Sequence, residues 1–186
     1  MKKLTVALLA GGISSEREVS LQSGDQVYEA LDKDKYHILR YDPKTDLDRL
    51  VNDAAGIDVA LIILHGPYGE DGTVQGLLDL LGIPYQGSGV LGSALAMNKE
   101  VTKQLYEKSG LPVPPYIIYD RNDNVDGNAC VKHIGLPLVV KPVVGGSSVG
   151  MSIVRSADDL QDALDKAMTY DSAVMAETYI AGIELT

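Results

Sequence analysis

The chain has 186 residues, 45% of them hydrophobic, a formal net charge of -10 and one cysteine. That length and apolar content suffice to bury a core and fill one or two domains, which argues against a disordered or repetitive chain. The acidic balance argues against a nucleic-acid partner, which draws on a basic surface. A lone Cys130 rules out an internal disulfide framework and thiolate-rich zinc clusters and fits a reducing compartment.

The opening "MKKLTVALLAGG" imitates a secretory signal. Its apolar run, Leu4 to Ala10, is short, contains Thr5 and ends at Gly11-Gly12 before a charged helical pattern, as a buried first strand does. Nothing later approaches the roughly 20 apolar residues needed to span a bilayer, so the expected compartment is the cytoplasm. Ser15-Glu16-Arg17-Glu18 has the spacing of a capping box between Ser15 and Glu18. Val19, Val27, Ala30 and Leu31 give the following helix an apolar stripe. Tyr36 to Tyr41 reads as a second strand, Asp46 to Ala54 as a short helix, and Asp58 to Leu64 as a buried third strand. Near-continuous apolar strands alternating with helices imply a parallel sheet covered on both faces. Functional loops then follow the carboxyl ends of the strands. "AGGISSERE" and "HGPYGEDGTVQG" are the two candidates, with Glu70 and Asp71 placed to cap a helix opening near Thr73.

The pattern changes near "GIPYQGSGVLGSALAMNKE". A helix from Asn98 to Ser109, the proline-rich "LPVPPYIIYD", another helix and the apolar run "LVVKP" follow. Then come a strand from Gly150 to Arg155, a helix from Ser156 to Met168 and a strand from Ala173 to Tyr179, which together read as a smaller α+β unit. Cys130, within it, reads as a small buried hydrophobe.

The stretch "LVVKPVVGGSSVG" carries the chemistry. Gly145, Gly146, Ser147 and Ser148 bring backbone N–H groups and two hydroxyls together with little side-chain bulk, which suits phosphate oxygens. It is not a P-loop, because Lys141 precedes the glycines and no Lys-Ser/Thr follows them. The loop runs into the strand pattern "GMSIVRS", so it is expected to join two antiparallel strands and cover a nucleotide as a flap; a plain hairpin whose glycines serve the turn is the alternative. Lys141, inside an apolar run, faces an anion or snorkels outward, and Lys99 is a second candidate cation. Glu177 ends an apolar strand and Glu184 follows it. That spacing is compatible with an adenine slot beside apolar walls and a carboxylate for ribose hydroxyls.

In their order, "LLAGGISSEREVSL", "LHGPYGEDGTVQGLLDLLGIPYQGSGVLGSALAMNKEVTK" and "LPLVVKPVVGGSSVGMSIV" resemble the D-alanine-D-alanine ligases of the ATP-grasp superfamily, from Leu4 to the last residue. The resemblance implies an enzyme that phosphorylates the carboxylate of one D-alanine with ATP. The amine of a second D-alanine then displaces the phosphate, giving the dipeptide for peptidoglycan synthesis. Residue by residue, Glu16 resembles the glutamate that holds the ammonium of the first D-alanine, with Val19 beside it and His65 lining the same pocket. Ser147 resembles the serine in a hydrogen-bond network with that glutamate, which makes Glu16 and Ser147 the catalytic candidates. Lys99 and Lys141 resemble the lysines on the ATP phosphates, and Ser148 and Val149 continue the flap. Glu177, Thr178, Tyr179 and Ile180 resemble the adenine-binding segment, and Glu184 the ribose-binding glutamate.

The fold implied is α/β. A parallel-sheet, Rossmann-like pre-ATP-grasp domain over residues 1–96 binds substrate, the first α+β subdomain of an ATP-grasp fold covers residues 97–183, and residues 184–186 open a second subdomain. In the family that second subdomain holds the magnesium ions, which manganese can replace, so no metal ligand is assigned here. The 186-residue chain is accordingly expected to be a ligase fragment, inactive alone. The implied partners are D-alanine and ATP, with no nucleic acid or membrane, in a homodimer formed through the N-terminal domain. Thr178 departs from the family, which commonly has a lysine there, and "VVGG" is less polar than many flaps. A D-alanine-D-lactate or D-serine ligase stays open, as does a non-catalytic nucleotide- or D-alanine-binding protein if the native chain ends at Thr186. A dinucleotide oxidoreductase fares poorly, because "LLAGGISSE" lacks the G-x-G-x-x-G spacing.

Overall fold

The computed structural model describes residues 2–123 and 125–183, and the chain divides into two compact units, Met1–Met97 and Asn98–Thr186. In the first unit, among the described residues, β1 (Leu4–Leu9), β2 (Tyr36–Tyr41) and β3 (Val59–Ile62) form a parallel sheet in the order β2-β1-β3. Helices α1 (Arg17–Ala30), α2 (Leu47–Asp53), α3 (Thr73–Leu81) and α4 (Val90–Met97) complete it. The central strand is buried from Val6 to Leu9, which is why its sequence is a continuous apolar run rather than an alternating one. Ala7 and Leu9 pack with Tyr41, Leu50, Leu78 and Ile83 in one core. The Tyr41 hydroxyl donates to Asp53 at 2.8 Å, and burial, with that hydrogen bond, pushes its pKa up to about 12.

Two expectations about α1 are corrected. The capping box does not form: the helix begins at Arg17, and Glu16 stands at its N-cap without a side-chain cap bond. Tertiary contacts fix this end instead, since Ser14 Oγ donates to the His65 carbonyl at 2.7 Å and accepts from the Glu16 N–H at 3.2 Å. The buried seam is Ser20 and Gly24, not the valine stripe, and Val19 is 56% exposed. The helix approaches the sheet so closely that only small residues fit: a Cβ on Gly24 would stand 2.5 Å from that of Ala10. Ser20 Oγ donates to the Ile63 carbonyl at 2.6 Å and accepts from the Gly11 N–H at 2.8 Å.

The second unit contains α5 (Lys99–Lys108), β4 (Tyr116–Asp120), α6 (Gly127–Ile134), β5 (Leu138–Pro142), β6 (Ser152–Val154), α7 (Leu160–Met168) and β7 (Ala173–Thr178). Its sheet runs β4-β7-β5-β6, with every described pairing antiparallel. Leu138, Val140, Val174 and Ala176 enter the core beneath α6 and α7, where Cys130 is also buried. The period of two then puts Val139, Lys141, Met175 and Glu177 on the opposite face. Register decides the next step: Val139 pairs with Glu177 and Lys141 with Met175, so Lys141 and Glu177 are diagonal neighbours on one face.

Candidate functional site

Lys99 and Lys141 come together around an open cavity of about 220 Å³, lined also by the Gly145–Val149 loop. Each is placed by a different element. Lys141 stands on β5 and its ammonium pairs with Oε1 of Glu177. Lys99 opens α5, whose start is pinned to the strand exit: Asn98 bridges Val144, and the Lys99 N–H donates to the Val143 carbonyl at 3.1 Å. The Lys99 ammonium reaches the Gly145 carbonyl at 2.8 Å. Burial, then the charge of nearby Lys141, lowers the Lys99 pKa. Two cations that oppose each other in a partly buried site favour an anion between them.

The loop joins β5 to β6, an antiparallel pair, as the sequence led us to expect. Its start is anchored by Asp171, whose Oδ2 accepts from the Val144 N–H at 2.8 Å. Its exit needs a glycine: at Gly150 the φ is +75°, and a Cβ there would stand 2.7 Å from the ring of Tyr170. Between them Ser147 and Ser148 adopt left-handed φ values of 49° and 57°. The Val149 N–H donates to the Gly146 carbonyl at 3.1 Å, which closes this segment as a turn, a geometry suited to phosphate oxygens. Ser148 is exposed and Val149 half-buried, both lining the cavity.

Glu177 receives two lysines. Besides Lys141 on Oε1, Lys103 contacts Oε2 at 2.8 Å, with both partners of that second pair largely buried. Burial alone would push the Glu177 carboxyl up, but hydrogen bonds from Lys103 and Lys141 outweigh it and hold the pKa below its ordinary value. Lys103 was not singled out by the sequence, although its signal was there. It lies four residues after Lys99, on the same face of a helix. Thr178, where the family commonly has lysine, donates from Oγ1 to the Ile134 carbonyl at 2.9 Å. Its own N–H donates to the Pro115 carbonyl. It therefore closes the end of α6 and ties two strand-end segments together. The Tyr179 N–H donates to the Pro137 carbonyl, and Ile180 is 67% exposed. Glu184 lies outside the described residues.

Glu16, Val19 and His65 belong to the first unit. Glu16 is buried, 6% exposed, and its carboxylate lies so close to Gly66 that a Cβ there would collide with Oε2. The Gly66 N–H in turn donates to Glu70 at 2.7 Å, while Asp71 accepts from the Thr73 N–H at 2.9 Å as α3 opens. His65 lines a cavity of about 170 Å³ walled by Leu47, Leu64, Val74 and Leu77. Its Nε2 is buried with no hydrogen-bond partner among the described residues. Val19 lies on the exposed side of α1 and does not line that cavity.

Asp42, which the sequence reading passed over, organises the loop after β1. It accepts two hydrogen bonds from Arg17, at 3.0 and 2.6 Å, and one from the Gly12 N–H at 2.9 Å. Burial would raise the Asp42 pKa, yet these donors hold it below the ordinary 3.8. Among the described residues no group of three or more His, Cys, Asp or Glu side chains is placed to hold a metal ion. No helix among them is long and apolar enough to cross a membrane.

Comparison with known proteins follows the same division. Residues 5–48 and 42–88 match the family described as D-ala D-ala ligase N-terminus, and residues 105–186 that described as D-ala D-ala ligase C-terminus. The D-alanine--D-alanine ligase of Syntrophobacter fumaroxidans is 60% identical over 185 residues, covering 100% of this chain and 60% of the relative. That of Desulfotalea psychrophila is 51% identical over 186 residues, covering 100% of this chain and 58% of the relative. The crystal structure of the Bacillus anthracis ligase complexed with ATP superposes with a TM-score of 0.84 at 40% identity, covering 96% of this chain and 60% of that one. The chain thus spans about 60% of the length of such relatives. A parallel-sheet α/β unit followed by an α+β unit is the ATP-grasp arrangement of these neighbours. On matches that run through both of its units, this chain belongs to the D-alanine-D-alanine ligase family.

Proposed function

We propose that this chain carries the phosphate seat and the first amino-acid seat of an ATP-dependent D-alanine-D-alanine ligase acting in peptidoglycan synthesis. The observation that carries the reading is the meeting of Lys99, Lys141 and the Ser147–Ser148 flap around one cavity, in a chain so similar to known ligases. In the reaction, the γ-phosphoryl group of ATP passes to the carboxylate of the first D-alanine, giving ADP and an acyl phosphate. The amine of the second D-alanine attacks the acyl carbon and inorganic phosphate leaves. Such a transfer depends on positioning and on charge stabilisation of the phosphoryl oxygens.

Lys99 and Lys141 supply the positive charge, and the N–H groups of Ser147 and Ser148 supply donors. Glu16, at the positive end of α1, offers its carboxylate to the ammonium of the first D-alanine, with Val19 one turn along and His65 on the neighbouring loop. Ser147 adds a hydroxyl to the flap. The segment Glu177 to Ile180 offers backbone groups to adenine, and Glu184 a carboxylate to ribose. Magnesium is expected to accompany the polyphosphate, with ligands other than the described residues. The matching compartment is the cytoplasm, and a homodimer formed through the first unit belongs to the same reading.

The test uses the protein expressed from its full native reading frame with ATP and D-alanine, following phosphate release and dipeptide formation. Glu16→Ala is expected to raise the KM for the first D-alanine by about a hundredfold, the loss of a buried charged partner, with little change in the KM for ATP. Lys141→Ala is expected to raise the KM for ATP instead. Unchanged D-alanine kinetics in the Glu16 variant would sink the assignment.

A further inference from the structure

Lys103 is 8% exposed, carries its ammonium 2.8 Å from Oε2 of Glu177, and stands 5.0 Å from the centre of the Tyr116 ring. It does not line the Lys99–Lys141 cavity. The other oxygen of the same carboxylate, Oε1, holds Lys141, which does. One carboxylate is thus divided between a lysine that faces the cavity and one that does not. If Glu177 had Lys141 alone, its whole charge would bind that ammonium and oppose its turning toward a phosphate. With Lys103 on the second oxygen, the carboxylate is compensated without Lys141.

We propose that Lys103 is a positioning residue that, by occupying Oε2 of Glu177, keeps Lys141 oriented at the cavity but free to be taken up by an arriving polyphosphate. The inference rests on the nucleotide reading above. Lys103 acts through Glu177, so its effect depends on that carboxylate. A cation that merely added to the field of the site would act whether Glu177 were charged or not. Register makes the arrangement possible: Tyr116 and Val139 both pair with Glu177 across the sheet, and Lys99 and Lys103 share one face of α5.

The experiment measures binding of tripolyphosphate and of ATP to the protein expressed from its native reading frame, by calorimetry, for wild type, K103M, E177Q, K103M/E177Q and K103R. Tripolyphosphate has no adenosine, so it reports the lysines without contributions from the Glu177–Ile180 segment. K103M is expected to weaken tripolyphosphate binding about tenfold in the wild-type background and to have little effect in the E177Q background, with K103R close to wild type. E177Q alone is expected to tighten it, because Lys141 loses its competitor. The same loss on K103M in both backgrounds overturns the proposal, and so does an E177Q variant that binds tripolyphosphate no better than wild type. The E177Q arm stands even where K103M does not fold. A wild type that binds neither ATP nor tripolyphosphate overturns the nucleotide reading and this inference together. A wild type that binds both, with K103M unchanged, overturns this inference alone.

Discussion

Gly24→Ala is normally a stabilising change in the middle of a helix, worth about 1 kcal/mol in propensity. Here the expected sign is reversed. Gly24 is buried on α1, and an alanine Cβ would stand 2.5 Å from the Cβ of Ala10, about an ångström and a half inside ordinary carbon contact. Neither side can yield easily. Ala10 is 5% exposed and its N–H is bonded to the Tyr41 carbonyl at 3.0 Å, while on α1 Ser20 is tied to both Gly11 and Ile63. Overpacking of this kind costs about 1–3 kcal/mol and more where backbone must move, so the net effect is a loss of about 1–2 kcal/mol. For a chain of this size that lowers the melting midpoint by roughly 2–8 °C. Paired thermal and urea melts followed by circular dichroism measure it. The double change Ala10→Gly, Gly24→Ala is expected to recover part of the loss, because it empties the contested space. A Gly24→Ala protein as stable as wild type, or more so, would refute the claim that α1 packs on small residues.

Two further predictions probe local devices. Asp42→Asn is expected to cost about 1–2 kcal/mol near neutral pH, because the bidentate partner of Arg17 loses its charge. Since the folded pKa of Asp42 lies below the ordinary 3.8, its contribution is present above that value and is lost as pH falls through the folded one. The gap between wild type and variant in urea midpoint is therefore expected to narrow as the pH falls below the ordinary carboxylate range, and a gap unchanged from neutral pH into acid would refute the charge argument. Asp126→Ala removes the acceptor for the Asn128 and Ala129 N–H groups at the start of α6, at 3.0 and 3.1 Å. The expected cost is about 1 kcal/mol, read as a lower melting midpoint. Restoration by Ser at the same position would separate loss of the cap from general damage.

The patterns of the sequence were enough to locate the strands of both units except β4, whose Tyr116–Asp120 follows directly on the prolines of "LPVPP". Val6 to Leu9 is apolar throughout because a parallel central strand is covered on both faces, while the sheet of the second unit offers one face to helices and carries Lys141 and Glu177 on the other. The Gly-Ser loop could likewise be located, since it follows directly from the end of β5. These are local properties of pattern and turn chemistry, visible within a dozen residues. Tertiary structure alone decided which face of α1 is buried and which charges meet. Ser20 and Gly24 lie inward because helix and sheet come too close for Val19. Lys103 meets Glu177 across 74 positions of chain, and Arg17 meets Asp42 across 25. An ion pair between distant residues depends on strand register and helix placement, and neither leaves a mark on the spacing of the residues that make it.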